Sequence, residues 1–439
     1  MTDHNDLLII HGGKPLTGEL RIYSAKNSAL YLMLASLLTD EPVVLEDVPR
    51  LSDVLVTEEI LRHVGVETRW EGRDLHLHAR SITTCHAPYR LVSKMRASFV
   101  AMGALLARCG EARIPMPGGC AFGPRPVDRH IQAFRDLGVH VDEDEGDFVA
   151  RRDGPLGDHV SFEVSTVGGT QNVLLAAALS GRDVVIENAA LEPEVPDLAR
   201  MLTAMGAPVE GAGTSVLRVH GAERLHGVRY RPIPDRIEAG TYLLATAASR
   251  GRARMQNVRS EHLDATLEAL ARTGVRIESG PDWVGIDASG PLDPTDIVAS
   301  PFPGLPTDLQ APFGAFLATV EGNSTVRDEI YPYRFTHVEA LAKTGARMAL
   351  DDRVLRIEGG PLVGATMHAA DIRAGGALIV AALAARGRSE ISGVGFIDRG
   401  YEDVAGRLAR LGAEVARSGN DGAAGVPEPE LFVTGTYGR

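Results

Sequence analysis

The sequence predicts an α/β protein of two lobes, each assembled from three copies of a unit about seventy residues long, with buried helices and outer sheets. Three observations carry that expectation. A helical stretch, then Gly, then Ala or Val, then an alternating apolar segment recurs at Gly65, Gly138, Gly206, Gly274, Gly345 and Gly412, at spacings of 73, 68, 68, 71 and 67 residues. Six further stretches, Ala29–Leu38, Ala97–Ala107, Val173–Ala178, Tyr242–Ala248, Ala311–Val320 and Ala377–Ala385, are apolar on most faces, and a helix apolar all round is a buried one. Short alternating segments, such as Val139 with Val141 and Val275 with Ile277, read as strands.

Each unit follows from its residues. The helix before a glycine mark shows three- and four-residue apolar spacing, as in Val195, Leu198, Met201, Leu202 and Met205. Gly suits the left-handed position that ends such a helix, and the alternating segment follows it. After the buried helix comes Gly or an acid and another strand, such as Asp183–Glu187 or Arg254–Val258. A solenoid is the plain alternative, but solenoid periods usually run about 20 to 50 residues. The longer period and the buried helices favour closed lobes. No linker rich in Pro, Gly or Ser separates units three and four; the nearest punctuation is Arg231-Pro232-Ile233-Pro234.

Composition bounds the function. Length alone, 439 residues, suggests about three domains. With 45 basic and 58 acidic side chains the formal net charge is −13, which argues against nucleic-acid binding and, on average charge, against anionic substrates. The longest apolar runs fall short of the ~18 residues of a membrane helix, and the polar Met1–Asp6 start has no signal-peptide pattern. Three cysteines make no disulfide framework and none lies in a Cys-x-x-Cys pair, so a reducing cytoplasm is expected and no zinc site.

The chemistry lies in the residues that open the six buried helices: Ser24-Ala25-Lys26-Asn27, Lys94-Met95-Arg96, Thr166-Val167-Gly168-Gly169-Thr170, Pro234-Asp235-Arg236, Pro306-Thr307-Asp308 and Asp371-Ile372-Arg373. A helix N-terminus presents unpaired N–H groups and partial positive charge, which suits anions. Asp there reads equally as an ordinary N-cap. Lys26, Arg96 and Arg373 oppose the helix dipole, a breach of local preference that points to a ligand with several negative charges. A second constellation, Pro117-Gly118-Gly119-Cys120-Ala121-Phe122-Gly123-Pro124-Arg125-Pro126-Val127-Asp128, reads as a loop, where a thiolate with lowered pKa suits Cys120. Cys109, inside an apolar helix, reads as a small buried hydrophobe, and Cys85 beside His86 has no assignment. Of the histidines, His130 stands nearest the Cys120 loop, and Ile397-Asp398-Arg399-Gly400-Tyr401-Glu402 forms a polar turn before the last helix.

Over its full length the chain resembles the UDP-N-acetylglucosamine enolpyruvyl transferase family. The resemblance rests on Ala25-Lys26-Asn27, Lys94-Met95-Arg96-Ala97-Ser98, Pro117-Gly118-Gly119-Cys120, Gly123–Asp128, Glu187-Asn188-Ala189-Ala190 with Glu192-Pro193-Glu194, Pro234–Glu238, Phe302–Asp308, Arg334–Val338, Asp371–Ala374 and Asp398–Glu402, in that order. It implies an inverted α/β barrel of two lobes with the site between them. Residues 1–23 and 234–439 would form lobe I, and residues 24–233 lobe II with the Cys120 loop. The chain would cross between lobes near Tyr23 and Pro234.

The resemblance also implies an activity: transfer of the enolpyruvyl group of phosphoenolpyruvate to the 3-hydroxyl of UDP-N-acetylglucosamine, the first committed step of peptidoglycan precursor synthesis. It implies no metal, no cofactor and no obligate protein partner. By position, Cys120 would be the acid or nucleophile and Asp308 the base, while Lys26, Asn27, Arg125 and Arg399 would hold phosphoenolpyruvate. Arg96, Arg125, Pro126, Val127, Asp128, Arg129, Ser165, Thr166, Val167, Gly168, Asp308 and Ile330 would bind the nucleotide sugar. Arg334, Asp371 and Arg373 would support lobe closure. Two departures stand out: Tyr23-Ser24 where the family has Ser-Gly, and Val164 where it has Lys beside the diphosphate. The second keeps a different uridine nucleotide open as the acceptor. The shikimate-pathway transferase shares the two-lobe design but lacks the Gly-Gly-Cys loop.

Overall fold

All six glycine marks sit in the left-handed region, with φ of 107° at Gly65, 77° at Gly138, 111° at Gly206, 86° at Gly274, 83° at Gly345 and 84° at Gly412. L side chains avoid that region, so each glycine ends its helix and turns the chain into a strand. The structure, a computed structural model, describes residues 6–116 and 127–419, without the side chain of Arg96. The helices that precede the marks are Ser52–His63, Asp128–Asp136, Glu194–Met205, Asp264–Arg272, His337–Ala342 and Val404–Arg410. The strands that follow are Glu67–Glu71, His140–Asp144, Val209–Glu210, Arg276–Ser279, Arg347–Asp351 and Glu414–Ser418.

Each repeat yields one sheet, and the sheets share a plan. In the third unit His159–Ser161 runs parallel to Asp183–Glu187, which pairs antiparallel with Val216–His220, which pairs with Val209–Glu210. The fifth unit repeats this order with Ile297–Ala299, Gly322–Asp328, Val354–Gly359 and Arg347–Asp351. Chain-distant strands complete other sheets. Arg229–Tyr230 pairs with Val43–Leu45 of the first unit, and Leu7–Gly12 and Thr17–Arg21 join the sheets of the sixth and fourth units. Such long-range pairing closes each lobe on itself and leaves no solenoid end.

Six central helices fill the lobes: Lys26–Ala35, Ala101–Cys109, Val167–Ala178, Arg236–Ala248, Thr307–Leu317 and Ile372–Ala384. One buried apolar core contains residues from Ala29 to Leu225, and a second joins Leu8–Ile22 to Ile237–Leu411. Length alone suggested three domains; two cores are present. The central helices approach closely, and a Cβ on Gly103 would lie 2.1 Å from the Asn172 carbonyl oxygen. Leu38, Ala107 and Leu179, at the C-terminal ends of three of these helices, line one depression together with Arg108, Arg152 and Arg224 and the acids Asp40 and Glu223. These three helices of one lobe therefore end together, and their N-terminal ends lie on the other side of that lobe. Five of these helices begin three to six residues before the apolar runs that mark them, while in the second unit the run from Ala97 opens as the tighter turn Arg96–Val100 and the α-helix starts only at Ala101.

The two strand crossings lie side by side. Ser24 bridges Pro234, the Ala25 N–H donates to the Ile233 carbonyl at 2.7 Å, and the Asp235 N–H donates to the Tyr23 carbonyl at 2.9 Å. Buried Asp197 underpins the pair by accepting from the Ile233 N–H at 3.1 Å, the Tyr230 hydroxyl at 2.8 Å and Ser28. The Tyr23 ring carries the Arg73 guanidinium 3.6 Å from its centroid and that of Arg407 at 4.2 Å, a favourable cation–π arrangement.

One cysteine expectation is corrected. Cys85 and Cys109 form a disulfide with Cα atoms 6.7 Å apart, so Cys109 is not simply a buried hydrophobe. The 24-residue separation hides the pair in the sequence. A parallel bridge from His86 to Arg113 lays the Cys85 segment beside the Glu111–Pro115 strand. That segment stands where the other sheets have a fourth strand.

Behind the crossings Glu238, 5% exposed, forms an ion pair with Arg407 Nη2 at 3.1 Å and accepts from the Tyr23 N–H at 3.2 Å. Burial pushes its carboxyl up to about 7 despite the Arg407 guanidinium, with Asp235 and Glu402 adding to the rise. The folded protein thus keeps a proton that the unfolded chain loses near its ordinary value of 4.5. That contribution, on the order of 3 kcal/mol, is full below the unfolded value and is lost as pH rises through the folded one. Thermal melts of wild type and Glu238→Gln across this pH window should show a decline in the wild type that the variant lacks. Parallel profiles would refute the shift.

Candidate active site

Lys26 is the first residue of its helix and its side chain is 7% exposed. An ammonium buried at a positive helix end needs a compensating anion. Asp53, on the neighbouring Ser52–His63 helix, supplies it: Lys26 Nζ donates to Asp53 Oδ2 at 2.9 Å. The other carboxylate oxygen accepts from Arg399 Nε at 2.8 Å, and Arg399 comes from the opposite lobe. Burial acts to raise the Asp53 carboxyl, but the Lys26 and Arg399 charges outweigh it and hold it below the ordinary range. The contact brings the lobes together, and the Ser52 N–H donates to the Asp398 carbonyl at 3.4 Å beside it.

A second cluster faces the first. Asp308, in the first turn of its helix, meets Arg334 Nη1 at 2.8 Å and Arg373 Nη2 at 2.7 Å. Burial acts to raise this carboxyl too, yet Arg373, Arg334 and Lys26 drive it far below the usual carboxylate range. Burial disfavours the charged form of Arg373, but Asp308 reverses that and holds its guanidinium firmly protonated. Asp308 is therefore ionised at any working pH, as a proton acceptor must be, and weakly basic while both arginines hold it.

The neighbouring side chains fix this cluster in turn. Asp371 caps its helix by accepting from the Arg373 and Ala374 N–H groups at 2.8 and 3.0 Å, and its other oxygen accepts from the Thr336 hydroxyl at 2.6 Å. Thr307 donates to Asp328 and accepts from Arg334 at 3.2 Å. Asp328 also takes the Ile330 N–H at 2.9 Å, which sets the turn that carries Ile330. His337 lies beneath, pushed down to about 4 by burial, and is neutral at pH 7.

The remaining sequence-predicted residues stand at helix starts of the other lobe. Asn27 follows Lys26, half-buried. Val127 is buried, while Asp128 and Arg129 open the Asp128–Asp136 helix exposed. Thr166 caps the Val167–Ala178 helix by accepting from the Gly169 N–H, with exposed Ser165 ahead and Val167 and Gly168 half-buried behind. The two helix starts are locked together by His130. Its Nδ1 lies 3.0 Å from Asn172 Nδ2, and a Cβ on Gly168 would touch its ring. Cys120, Arg125 and Pro126 lie outside the described residues, as does the side chain of Arg96, which opens the turn Arg96–Val100.

Asp235 does two things at once. One oxygen caps its own helix, accepting from Ile237 and Glu238, and the other accepts from the Lys26 N–H at 3.1 Å across the lobes. Arg236, also in a helix first turn, pairs with buried Glu194 of the other lobe at 3.1 Å. Sequence reasoning missed Asp53, Glu194 as a partner of Arg236, Asp328 and Asn172. Acids in a first helical turn look like ordinary dipole partners, and nothing local in the sequence names their cations. Among the described residues no group of three or more His, Cys, Asp or Glu side chains stands ready to hold a metal ion.

The profile of the EPSP synthase (3-phosphoshikimate 1-carboxyvinyltransferase) family matches residues 10–408. A UDP-N-acetylglucosamine 1-carboxyvinyltransferase of Thermus thermophilus is 55% identical over 409 residues, covering 93% of this chain and 96% of that one. One from Deinococcus radiodurans is 46% identical over 426 residues, covering 97% and 98%. Among solved structures, the enolpyruvyl transferase NikO of Streptomyces tendae superposes with a TM-score of 0.85 at 26% identity, covering 94% of this chain and 99% of that one. EPSP synthase of Acinetobacter baumannii shares the fold with a TM-score of 0.71 at 15% identity, covering 94% and 100%. The two-lobe inverted α/β architecture is thus that of enolpyruvyl transferases.

The Asp308 cluster makes a stability prediction. Arg334 and Arg373 side chains are each 8% exposed, and breaking a buried ion pair from one side typically costs about 3–5 kcal/mol. Asp308→Ala should lower the unfolding free energy, read from denaturant titration, by that order, and Asp308→Asn by less. An Asp308→Ala unfolding free energy equal to wild type would show that the guanidinia re-pair at no cost.

Proposed function

The chain belongs to the UDP-N-acetylglucosamine 1-carboxyvinyltransferase family, and we propose that it transfers the enolpyruvyl group of phosphoenolpyruvate to the 3-hydroxyl of UDP-N-acetylglucosamine with release of phosphate. The observation that supports this most is the meeting of Lys26 and Arg399, from opposite lobes, on one carboxylate beside the Asp308–Arg334–Arg373 cluster. Such paired cations suit a ligand bearing both phosphate and carboxylate.

In the proposed addition the sugar oxygen bonds to C2 of phosphoenolpyruvate, its proton passes to Asp308, and the Cys120 thiol protonates the C3 methylene. The resulting ketal then loses a proton from C3 while the bond from C2 to the phosphate oxygen breaks. Lys26, Arg125 and Arg399 hold the phosphate and carboxylate through both steps. Asp308 gains basicity if a guanidinium shifts its hydrogen bond from Asp308 to a substrate anion. On the nucleotide side Val127, Asp128, Arg129, Ser165, Thr166, Val167 and Gly168 form the receiving face, with Arg96, Arg125 and Pro126, and Ile330 lies by the sugar. Arg334, Asp371 and Arg373 support closure of the lobes, which divide at residues 23/24 and 233/234. The activity places the protein in cell-wall precursor synthesis in the cytoplasm. No helix among the described residues is long and apolar enough to cross a membrane.

Purified protein supplied with phosphoenolpyruvate should release inorganic phosphate with UDP-N-acetylglucosamine in preference to other uridine nucleotides. Release with another nucleotide alone would move the acceptor and keep the chemistry. A thiol-alkylating phosphonate epoxide should inactivate the wild type and spare Cys120→Ser; equal inactivation of both would place the reactive thiol elsewhere.

A further inference from the structure

Asp53 invites a plain explanation first. It is the second residue of the Ser52–His63 helix, where an acid complements the positive helix end. Its contacts say otherwise. That helix has no side-chain cap, and both Asp53 oxygens are turned away from its backbone N–H groups towards Lys26 and Arg399. The carboxylate is 6% exposed, and its two partners come from different lobes, Lys26 from a helix start and Arg399 from the turn after Val394–Ile397.

The donors in use matter as much as the partners. Arg399 engages Asp53 through Nε, and among the described residues no acceptor engages its two terminal nitrogens. With the side chain 26% exposed, that edge is available as a fork for a phosphate or carboxylate. Lys26 likewise directs one ammonium hydrogen to Asp53, and an ammonium has three. One carboxylate therefore sets two cations side by side, offsets their mutual repulsion, and keeps their outward donors unengaged.

We propose that Asp53 is a positioning residue of the transfer, fixing Lys26 and Arg399 as a preset pair for the phosphate and carboxylate end of phosphoenolpyruvate. The inference rests on the proposed function and deepens it. Asp53 stands behind the cations and touches no reacting atom, and its effect is read through the donor substrate rather than the nucleotide.

Steady-state kinetics on Asp53→Asn and Asp53→Glu test it. A misplacement of about 1 Å can cost on the order of a hundredfold. Asp53→Asn should accordingly raise KM for phosphoenolpyruvate about tenfold or more while KM for UDP-N-acetylglucosamine stays within about twofold. Asp53→Glu keeps the charge and moves it by one methylene, so its KM for phosphoenolpyruvate should fall between wild type and Asn; it also serves if the Asn variant fails to fold. In an Arg399→Gln background, adding Asp53→Asn should cost clearly less than in wild type, since coupled sites are not additive. Equal rises in both KM values, full additivity with Arg399→Gln, or unchanged kinetics in the folded variants would overturn the role. Wild-type protein that releases no phosphate from phosphoenolpyruvate with any uridine nucleotide would instead overturn the proposed function.

Discussion

A positive charge in the first turn of a helix is opposed by the helix dipole, and the site is organised around that conflict. Lys26, Arg236 and Arg373 all occupy such positions, and each is buried. None is left to its own helix. Asp53 takes Lys26, Glu194 takes Arg236 and Asp308 takes Arg373, every acid standing on another helix. Because the acids must come from elsewhere in the chain, neutralising the cations also fixes how the elements sit. Arg236 with Glu194, and Arg399 with Asp53, reach between lobes, so the conflict at the helix ends also becomes a set of ties across the cleft.

Those ties need a fixed origin, and the paired crossings provide it. The two short segments are bridged at Ser24 and Pro234, so both connections between the lobes run side by side at one place. Asp197 holds the pair from one side and the Glu238–Arg407 pair from the other. The Tyr23 ring between two guanidinia gives a stacking surface at the first crossing. Arg73 adds a tie of its own, meeting Glu402 of the opposite lobe at 2.9 Å while its guanidinium covers Tyr23. The turn that presents Arg399 is therefore fastened on both flanks, by Asp398 against the Ser52 helix and by Glu402 against Arg73.

Much of the fold was legible because the repeat speaks through backbone necessity. A left-handed turn requires Gly, so six glycines at even spacing locate six helix ends regardless of how the units pack. The apolar runs located the central helices but not their starts, since the first turns carry the polar residues that periodicity discards. Lys26 and Arg373 were legible for the opposite reason, as violations of local preference, whereas Arg236 was not singled out. Their acids gave no such sign. Asp53 within Arg50-Leu51-Ser52-Asp53 satisfies a helix-dipole rule and so looks unremarked in sequence, and Cys85 gives no sign of Cys109 before the Cys85 segment is laid against the Glu111–Pro115 strand.

The net charge of −13 looked unfavourable to an anionic substrate, and the geometry explains why it is a poor guide. Charges on the surface act on a distant point through salt, and at physiological ionic strength their reach is about 8 Å. Many of the acids are exposed and already paired with neighbours, as Glu71 is with Arg69 and Asp183 with His220. The cations of the cleft sit in a low-dielectric setting where their fields are screened far less. Their own acids do not cancel them as binding groups, because a carboxylate that takes Arg399 through Nε or Lys26 through one hydrogen leaves the remaining donors directed outward. Neutralisation and presentation are thus compatible. The acid lowers the cost of burying the cation, and the unengaged donors keep its affinity for an anion.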